Sequence, residues 1–308
     1  MRTILNNIRR ATPAAFLLMI VAFSLVATRP ASSGTTPQPI RIVASFYPLF
    51  EFTRQVGGGR VTVRNLVPAG IEPHDYEPTP RDVVTLTQAR VVVYNGAGFE
   101  PWLQRLLPQL PGRVIRVNAT EWLTEVRSGA RRAPLDPHVW LDPVLAQRQV
   151  DRVLAGLARA DPAGRGIYEA NAAAYNGKLS ALHERIARTL APCRKRIFVV
   201  SHAAFGYFAG RYRLTQITIR GLEPAEEPSA AKVSEVVRIM RRHGVTVVYY
   251  ETLVSPRVAA TIAREVGART LVLDPLEGLT GEEQRAGKDY LSIMDENLRA
   301  LVQGLDCP

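Results

Sequence analysis

Four side chains that commonly bind metal ions recur along this chain at wide and regular intervals. His74, His138 and His202 are equally spaced in the sequence, and Asp274 follows His202 at a similar interval. The chain has only five histidines, so the placement of three of them carries weight. Three imidazoles and one carboxylate form a donor set that suits Zn²⁺. The sequence therefore predicts a metal site formed by His74, His138, His202 and Asp274.

Each of these residues also has an ordinary alternative role. His74 lies in a loop rich in Pro and Gly, where surface histidines are common, and His138 lies between two Asp-Pro turns. His202 follows an apolar run, where a buried histidine can be purely structural. Asp274 ends a strand-like run, and Asp in that position more often caps a helix. What favours ligation is that all four share a position after a strand or a tight turn.

Two further residues are assigned supporting roles. Glu251 ends the strand-like run 247–250 and is the carboxylate that competes with Asp274. We place Glu251 behind the ligands, where it would orient a histidine or lock two lobes together, and we expect the indole of Trp140 to fix the ring of His138. The alternative is that Glu251 is a general base, in which case three histidines and a water would make a zinc hydrolase.

Strand-like and helix-like segments alternate in both halves of the chain. Short, wholly apolar runs are typical of parallel sheets that helices cover on both faces. Strands are predicted at 41–46, 61–66, 91–94, 114–117, 197–200, 215–219, 245–250 and 270–273, and the last helix at about 288–301. Residues 41–50 align weakly with residues 197–206, which indicates two similar α/β lobes. Because open α/β sheets bind ligands at the carboxyl ends of their strands, we expect the metal site in the cleft between the lobes.

A long helix is predicted between the two halves. Residues 167–190 carry apolar or small side chains at helical spacing without an interior Pro, and they would span roughly 35 Å. That length suits a rigid connector between lobes. We therefore divide the chain into a signal peptide (1–33), an N-terminal α/β lobe (34–165), a connector helix (166–191) and a C-terminal α/β lobe (192–308).

The segment 1–33 has the pattern of a secretory signal peptide. Arg2, Arg9 and Arg10 precede the apolar run 14–27, and small residues close the segment. The cleavage point stays open, and an uncleaved anchor is the alternative. No Cys occurs near the exit of this segment, so a lipid-anchor site of the lipobox type is not expected.

Charge and cysteine content narrow the possible partners and the compartment. The net charge is +11, of which +7 remains without the four arginines of the segment 1–33. The remaining arginines are scattered and accompany no nucleic-acid motif, so no nucleic-acid partner is expected. Cys193 and Cys307 are the only two cysteines. An exported protein meets an oxidising compartment, which favours a disulfide that ties the C-terminal tail to the second lobe.

Six segments resemble, in order, the motifs of one known family. They are residues 70–78, 136–143, 201–208, 226–229, 273–276 and 290–298. The family is the metal-binding receptors of ATP-binding-cassette (ABC) importers for zinc and manganese, and the resemblance covers about residues 40–303. It implies two α/β lobes joined by one rigid long helix, with the metal held between them.

The resemblance also implies a function and a ligand set. The family's ligand positions carry over to His74, His138, His202 and Asp274. Zinc receptors tend to have His at the third position where manganese receptors have Glu, so His202 favours one Zn²⁺ per chain, with Mn²⁺ as the alternative. The expected protein is a periplasmic monomer that is neither an enzyme nor a lipoprotein, and it delivers zinc to an inner-membrane permease and its ATPase. One departure is that the loop 124–135 lacks the histidines that many zinc receptors carry there.

Overall fold

The computed structural model describes residues 38–123 and 135–308, and within these ranges eight strands form two parallel sheets. The strands are β1 (Ile40–Ala44), β2 (Val61–Asn65), β3 (Val91–Tyr94), β4 (Ile115–Asn118), β5 (Ile197–Val200), β6 (Thr215–Thr218), β7 (Val247–Tyr250) and β8 (Arg269–Val272).

Both sheets have the same strand order. The first sheet runs β2-β1-β3-β4 and the second β6-β5-β7-β8, and all pairs are parallel. Ile42 of β1 lies opposite Val63, and Val199 of β5 lies opposite Ile217. The central strands are apolar and buried, as helices on both faces of a parallel sheet require. The shared order confirms the prediction of two similar α/β lobes.

Ten α-helices within the described ranges connect the strands and cover the sheets. They are α1 (Tyr47–Gly57), α2 (Pro80–Gln88), α3 (Pro101–Gln104), α4 (Pro143–Ala160), α5 (Arg165–Leu190), α6 (Gly206–Arg211), α7 (Ala230–His243), α8 (Arg257–Val266), α9 (Gly281–Arg285) and α10 (Tyr290–Gly304).

Local sequence signals start several of these helices. The side chains of Thr79, Asp142, Ser229 and Asp289 each precede a helix and accept a hydrogen bond from a backbone N–H of its first turn. Such caps satisfy N–H groups that have no partner inside the helix. Asp142 belongs to the second Asp-Pro turn around His138, so the turn that flanks this candidate ligand also begins α4.

The long helix α5 joins the two lobes. It has 26 residues and therefore spans about 39 Å. Its buried side chains recur every three or four residues, so one stripe faces the protein interior along the whole helix. A single buried cluster contains Ile42 of the first sheet, Tyr175 and Leu182 of α5, and Tyr249 of the second sheet. Because one core continues through both lobes, α5 is held as a rigid connector.

The disulfide between Cys193 and Cys307 is present, which confirms that prediction. The chain around it is tied down further, since the backbone N–H of Lys195 donates to the carbonyl of Leu305 at 2.9 Å. The tail thus lies against the segment that leads into β5.

Some predictions concern residues outside the described ranges. The predicted signal peptide at 1–33 lies there, and so do residues 124–134 of the loop that lacks histidines. Within the described ranges, no helix is long and apolar enough to cross a membrane. Residues Gln38–Pro308 cluster as one compact unit. The boundaries drawn at 165/166 and 191/192 therefore stay a prediction.

Candidate metal centre

The loop after β2 places His74. Glu72 Oε1 accepts a hydrogen bond from the His74 backbone N–H at 3.2 Å, and the Trp102 indole donates to the carbonyl of Pro73 at 2.9 Å. The Gly70 N–H donates to the carbonyl of Leu279 in the other lobe at 2.8 Å. The His74 side chain is buried, with 2% of its surface exposed. These bonds hold the loop against both lobes, so the imidazole is aimed into the cleft.

His138 is placed by the Asp-Pro turn that precedes it. Asp136 Oδ1 accepts from the His138 backbone N–H at 3.0 Å and lies 2.8 Å from the ring Nδ1. The Asn95 amide donates to the carbonyl of Pro137 at 3.0 Å. His138 is fully buried. The turn therefore positions both the backbone and the ring of this residue.

His202 lies just after the end of β5. The Ala203 N–H donates to the carbonyl of Gly221 at 2.8 Å, which ties the backbone after His202 to the loop that follows β6. Its ring Nδ1 lies 2.7 Å from Glu251 Oε2, and both side chains are buried. Glu251 therefore lies behind the histidine and orients it.

Three imidazole Nε2 atoms and one carboxylate oxygen converge in the cleft. Glu277 Oε1 lies 3.3 Å from His74 Nε2, 3.2 Å from His138 Nε2 and 3.2 Å from His202 Nε2. The Nε2 atoms of His74 and His138 are 3.3 Å apart. A tetrahedral zinc site with bonds of about 2.0–2.1 Å requires about 3.3–3.4 Å between its donors. Four of the distances among these atoms thus match a zinc coordination shell, and all four atoms lie within 4.8 Å of one another.

The far side of each imidazole faces a carboxylate. The Nδ1 atoms of His74, His138 and His202 are paired with Glu223 (3.1 Å), Asp136 (2.8 Å) and Glu251 (2.7 Å), respectively. An ionised carboxylate can only accept a hydrogen bond, so Nδ1 carries a proton and Nε2 is the nitrogen left to bind a metal once it has lost its own proton. Histidines that bind metals are typically held in this way.

Glu277, rather than Asp274, lies beside the three imidazoles. Asp274 Oδ1 accepts from the Leu276 N–H at 2.7 Å, and its Oδ2 accepts from the Thr252 hydroxyl at 3.2 Å. The carboxylate therefore folds back on its own backbone as the first residue of a turn. Leu276 has a φ of 57°, a left-handed conformation that few residues other than Gly adopt, and the chain then directs Glu277 into the cluster.

This turn places Glu277, and not the expected Asp274, beside the three histidines. Among the described residues, the group that could hold an ion is His74, His138, His202 and Glu277, and all four are buried. Glu277 Oε2 has no hydrogen-bond partner, which suits a second contact of the carboxylate with a cation. The sequence pattern did not predict Glu277, because Asp274 stands directly at the end of the strand, where a ligand is expected. A signal was present in the Asp-Pro pair, since Asp in that position often bonds the backbone that follows it.

Burial and neighbouring charges set the proton affinities in the cluster. Burial lowers the pKa of His74, but the negative charge of Glu277 and hydrogen bonds to Glu223 and Glu277 outweigh it and raise that pKa to about 10. Burial also lowers the pKa of His202, whereas Glu251 and Glu277 raise it well above its usual value. Burial raises the pKa of Glu277, and the positive charges of His202 and His74 hold it well below its usual range. The site therefore stabilises positive charge, whether protons or a metal cation.

Aromatic rings form the wall behind the cluster. The ring of Phe99 packs edge-on against His74, with ring centres 4.4 Å apart, and the Trp140 ring centre lies 5.2 Å from that of His138. The Trp140 indole donates to the carbonyl of Pro275 at 2.7 Å. Trp140 thus supports His138 and also bonds the turn that carries Glu277.

Comparison with known proteins identifies the family. The profile of the family described as zinc-uptake complex component A, periplasmic (ZnuA) matches residues 42–304. The chain belongs to this family. The high-affinity zinc uptake system protein ZnuA of Bacillus subtilis (strain 168) is 37% identical over 306 residues, which cover 95% of each protein.

Further relatives share the ZnuA fold. The zinc-binding lipoprotein AdcA of Streptococcus pneumoniae serotype 4 is 38% identical over 280 residues, which cover 87% of this chain and 56% of AdcA. The chain thus spans about half the length of AdcA. The crystal structure of the Zn(II)-bound ZnuA-like domain of Streptococcus pneumoniae AdcA superposes with a TM-score of 0.75 at 39% identity, covering 87% of this chain and 99% of that domain.

Proposed function

We propose that this protein captures one Zn²⁺ per chain outside the cytoplasm and delivers it to an ABC-type membrane permease for import. The observation that carries the proposal is the convergence of His74, His138, His202 and Glu277, whose ligand atoms lie within 4.8 Å of one another, with a carboxylate behind each imidazole. In this proposal zinc is the cargo. Membership of the ZnuA family, with relatives named for zinc uptake and zinc binding, supports the same conclusion.

The donor set favours Zn²⁺ over Mn²⁺. Zinc prefers four ligands with nitrogen donors at short bonds, whereas manganese prefers six, mostly oxygen donors. Three imidazoles and one carboxylate, with Glu277 Oε1 at 3.2–3.3 Å from each imidazole Nε2, fit the first description. The manganese receptor considered from the sequence is therefore the weaker alternative.

The geometry also argues for a receptor over a zinc hydrolase. A catalytic zinc keeps an open position for water, whereas here four protein donors fill a tetrahedral shell. Glu251, the residue considered as a general base, bonds Nδ1 of His202 and so faces away from the coordinating atom of that ring. Glu251 is therefore placed to orient the ring of His202 and not to act as a general base. We therefore propose that the protein is not an enzyme.

Membership of the ZnuA family supports a proposal for the partners and the location. We propose that the protein acts as a monomer that docks on an inner-membrane permease with its ATPase, and that it has no nucleic-acid partner. We also propose that it is exported by the segment 1–33 and remains free in the periplasm, although the relative AdcA is named a lipoprotein. The intact mass of the mature protein tests this, because a lipid anchor would add the mass of its acyl chains.

The first experiment is a competitive metal titration. Mature protein stripped with a chelator is titrated with Zn²⁺ and Mn²⁺ against a chromophoric chelator, and stoichiometry and relative affinity are read out. One Zn²⁺ per chain that excess Mn²⁺ does not displace is the expected result. Tighter binding of Mn²⁺ would move the assignment to manganese, and no binding of either ion would refute the receptor function.

A further inference from the structure

The contacts between the two lobes differ on the two sides of the cluster. On one side they are buried and numerous. The hydroxyl of Tyr290 donates to the carbonyl of Trp140, the Trp140 indole donates to Pro275, and the hydroxyl of Tyr207 donates to the carbonyl of Asp136. All of these bonds join residues around His138 to the C-terminal lobe. On this side the lobes are thus joined by direct hydrogen bonds that involve no metal ligand side chain.

The opposite side, at His74, is held more lightly. Its lobe-to-lobe contacts include the backbone bond from Gly70 to Leu279 and the contact of His74 Nδ1 with Glu223 Oε2 at 3.1 Å. A cavity of about 430 Å³ lies beside the bond from Gly70 to Leu279, lined by Ala69 and Leu279 together with residues of α1 and of the segment 284–289. The lobes are therefore not closely packed where the loop that carries His74 meets the C-terminal lobe.

Glu223 differs from the other two carboxylates behind the imidazoles. Asp136 lies in the same turn as its histidine, and Glu251 lies in the same lobe as His202 and is 4% exposed. Glu223 instead reaches from the C-terminal lobe to a histidine of the N-terminal lobe, and 59% of its side chain is exposed. His74 is thus oriented by a carboxylate that is exposed to water and that belongs to the opposite lobe.

The loop that carries Glu223 is tied to another ligand. It begins at Gly221, whose carbonyl accepts from the N–H of Ala203, directly after His202. The Glu226 N–H donates to the carbonyl of Glu223 at 3.3 Å, so a turn presents the Glu223 side chain. Glu223 and His202 are therefore coupled within the C-terminal lobe, whereas His74 belongs to the N-terminal lobe.

We propose that Glu223 is a positioning residue that controls release of the metal, because it orients His74 only while the lobes are closed. Separation of the lobes on this side removes the acceptor from His74 Nδ1, and the imidazole is then free to turn away from the ion. His138 and His202 keep their carboxylates, so His74 is the first ligand to leave. This inference rests on the proposed capture of zinc and assigns the step at which the bound ion is let go.

The test compares Glu223→Ala, Glu223→Gln and the matched control Glu227→Ala, which removes an exposed carboxylate from the same loop. Rates of Zn²⁺ dissociation are measured by stopped flow with an excess of a chromophoric chelator, and association rates are measured separately. Loss of a carboxylate behind a metal-binding histidine typically weakens metal affinity about 10–100-fold. We expect Glu223→Ala to show that loss in the dissociation rate, with an association rate close to that of the unaltered protein.

Two readouts separate positioning from general attraction of the cation. The amide oxygen of Glu223→Gln can still accept from His74 Nδ1, so its dissociation rate should lie nearer the unaltered value than that of Glu223→Ala. The visible absorption of the Co²⁺-loaded protein should change for Glu223→Ala and not for Glu227→Ala, because cobalt spectra report ligand geometry.

The outcomes are distinct from those that test the receptor function. Failure of the unaltered protein to bind Zn²⁺ would refute the receptor function itself. Tight binding by the unaltered protein, with the same dissociation rate for Glu223→Ala, would overturn only the role of Glu223. Equal slowing of association in Glu223→Ala and Glu227→Ala would likewise overturn it, since that pattern indicates charge attraction alone.

Discussion

Separate substitution of Asp274 and Glu277, the two carboxylates after β8, provides a direct test of the ligand set. Glu277 Oε1 lies within 3.3 Å of three imidazole Nε2 atoms, whereas Asp274 bonds a backbone N–H and a threonine hydroxyl. Glu277→Gln removes a charged donor at the centre of the cluster. Asp274→Asn keeps an oxygen for the Leu276 N–H, and its amide N–H can donate to the hydroxyl of Thr252. The two substitutions should therefore have very different effects on zinc.

The magnitude follows from where each carboxylate lies. Loss of a group behind a ligand costs about 10–100-fold in metal affinity, so loss of a ligand itself should cost more than about 100-fold. That corresponds to more than about 2.7 kcal/mol of binding free energy for Glu277→Gln. For Asp274→Asn we expect a Kd within about tenfold of the unaltered protein, because its hydrogen bonds are preserved.

The assay is competition for Zn²⁺ against a chelator of known affinity, with thermal unfolding of the metal-free proteins as the control for folding. Comparable unfolding temperatures would show that the affinities report the site. A loss above about 100-fold for Asp274→Asn, with Glu277→Gln within about tenfold, would refute the assignment of Glu277 and restore Asp274 as the ligand.

Three further predictions concern the disulfide, the pH dependence and metal choice. The bridge between Cys193 and Cys307 closes a span of 114 residues, so replacing both by Ser should lower the free energy of unfolding by up to about 4.8 kcal/mol in urea titrations; an unchanged midpoint would contradict this. The pKa of His74 is raised to about 10, against the lowering effect of burial, by Glu277, so the metal-free site holds protons at neutral pH. Zinc affinity should therefore rise with pH up to about pH 10, where His74 has lost its competing proton, and zinc binding at pH 7–8 should release protons, measured by calorimetry in buffers of different ionisation enthalpy; heats independent of the buffer would contradict this. His202→Glu should lower the ratio of zinc to manganese affinity, and an unchanged ratio in competition titrations would remove His202 from the basis of metal choice.

The three histidines could be predicted because the sequence around them reports their position in the fold. His202 follows an apolar strand, and His138 lies between Asp-Pro turns, so both were expected at the edge of a sheet. Asp136 was also open to prediction, since it opens the Asp-Pro turn that leads directly into His138. Glu251 is predicted behind the ligands from its position at a strand end; its Oε2 lies 2.7 Å from His202 Nδ1, and its role toward a bound metal stays a prediction.

The fourth position could not be read in the same way. Whether Asp274 or Glu277 reaches the imidazoles depends on the left-handed turn at Leu276, a buried residue whose type does not signal such a conformation. The partnership of His74 with Glu223 likewise depends on how two lobes dock, and the residues are far apart in the chain. The Asp-Pro pair at Asp274 indicates that Asp274 bonds the backbone after it, but neither contact with an imidazole leaves a local pattern in the sequence.

The fold class could be predicted from the sequence, whereas the order of the strands in each sheet could not. Alternation of apolar strands and helices indicated parallel sheets, and the last helix was placed within a few residues of α10. Its start at Tyr290 follows from the side chain of Asp289, which accepts from the N–H of Ser292 at 2.8 Å. The strand order could not be predicted, because the same alternation of elements fits several orders of a parallel sheet.

The spread of the ligands along the chain determines where loading can occur. His74 and Glu277 are 203 residues apart, and Glu277 lies in the segment after β8, near the C-terminus. A nascent or unfolded chain therefore contains no assembled site, and the pocket exists only after nearly all of the polypeptide has been made and both halves have docked. A protein that is translocated unfolded arrives empty. It takes its first ion from the compartment in which folding finishes, so the metal content of that compartment, and not that of the site of synthesis, decides what it carries.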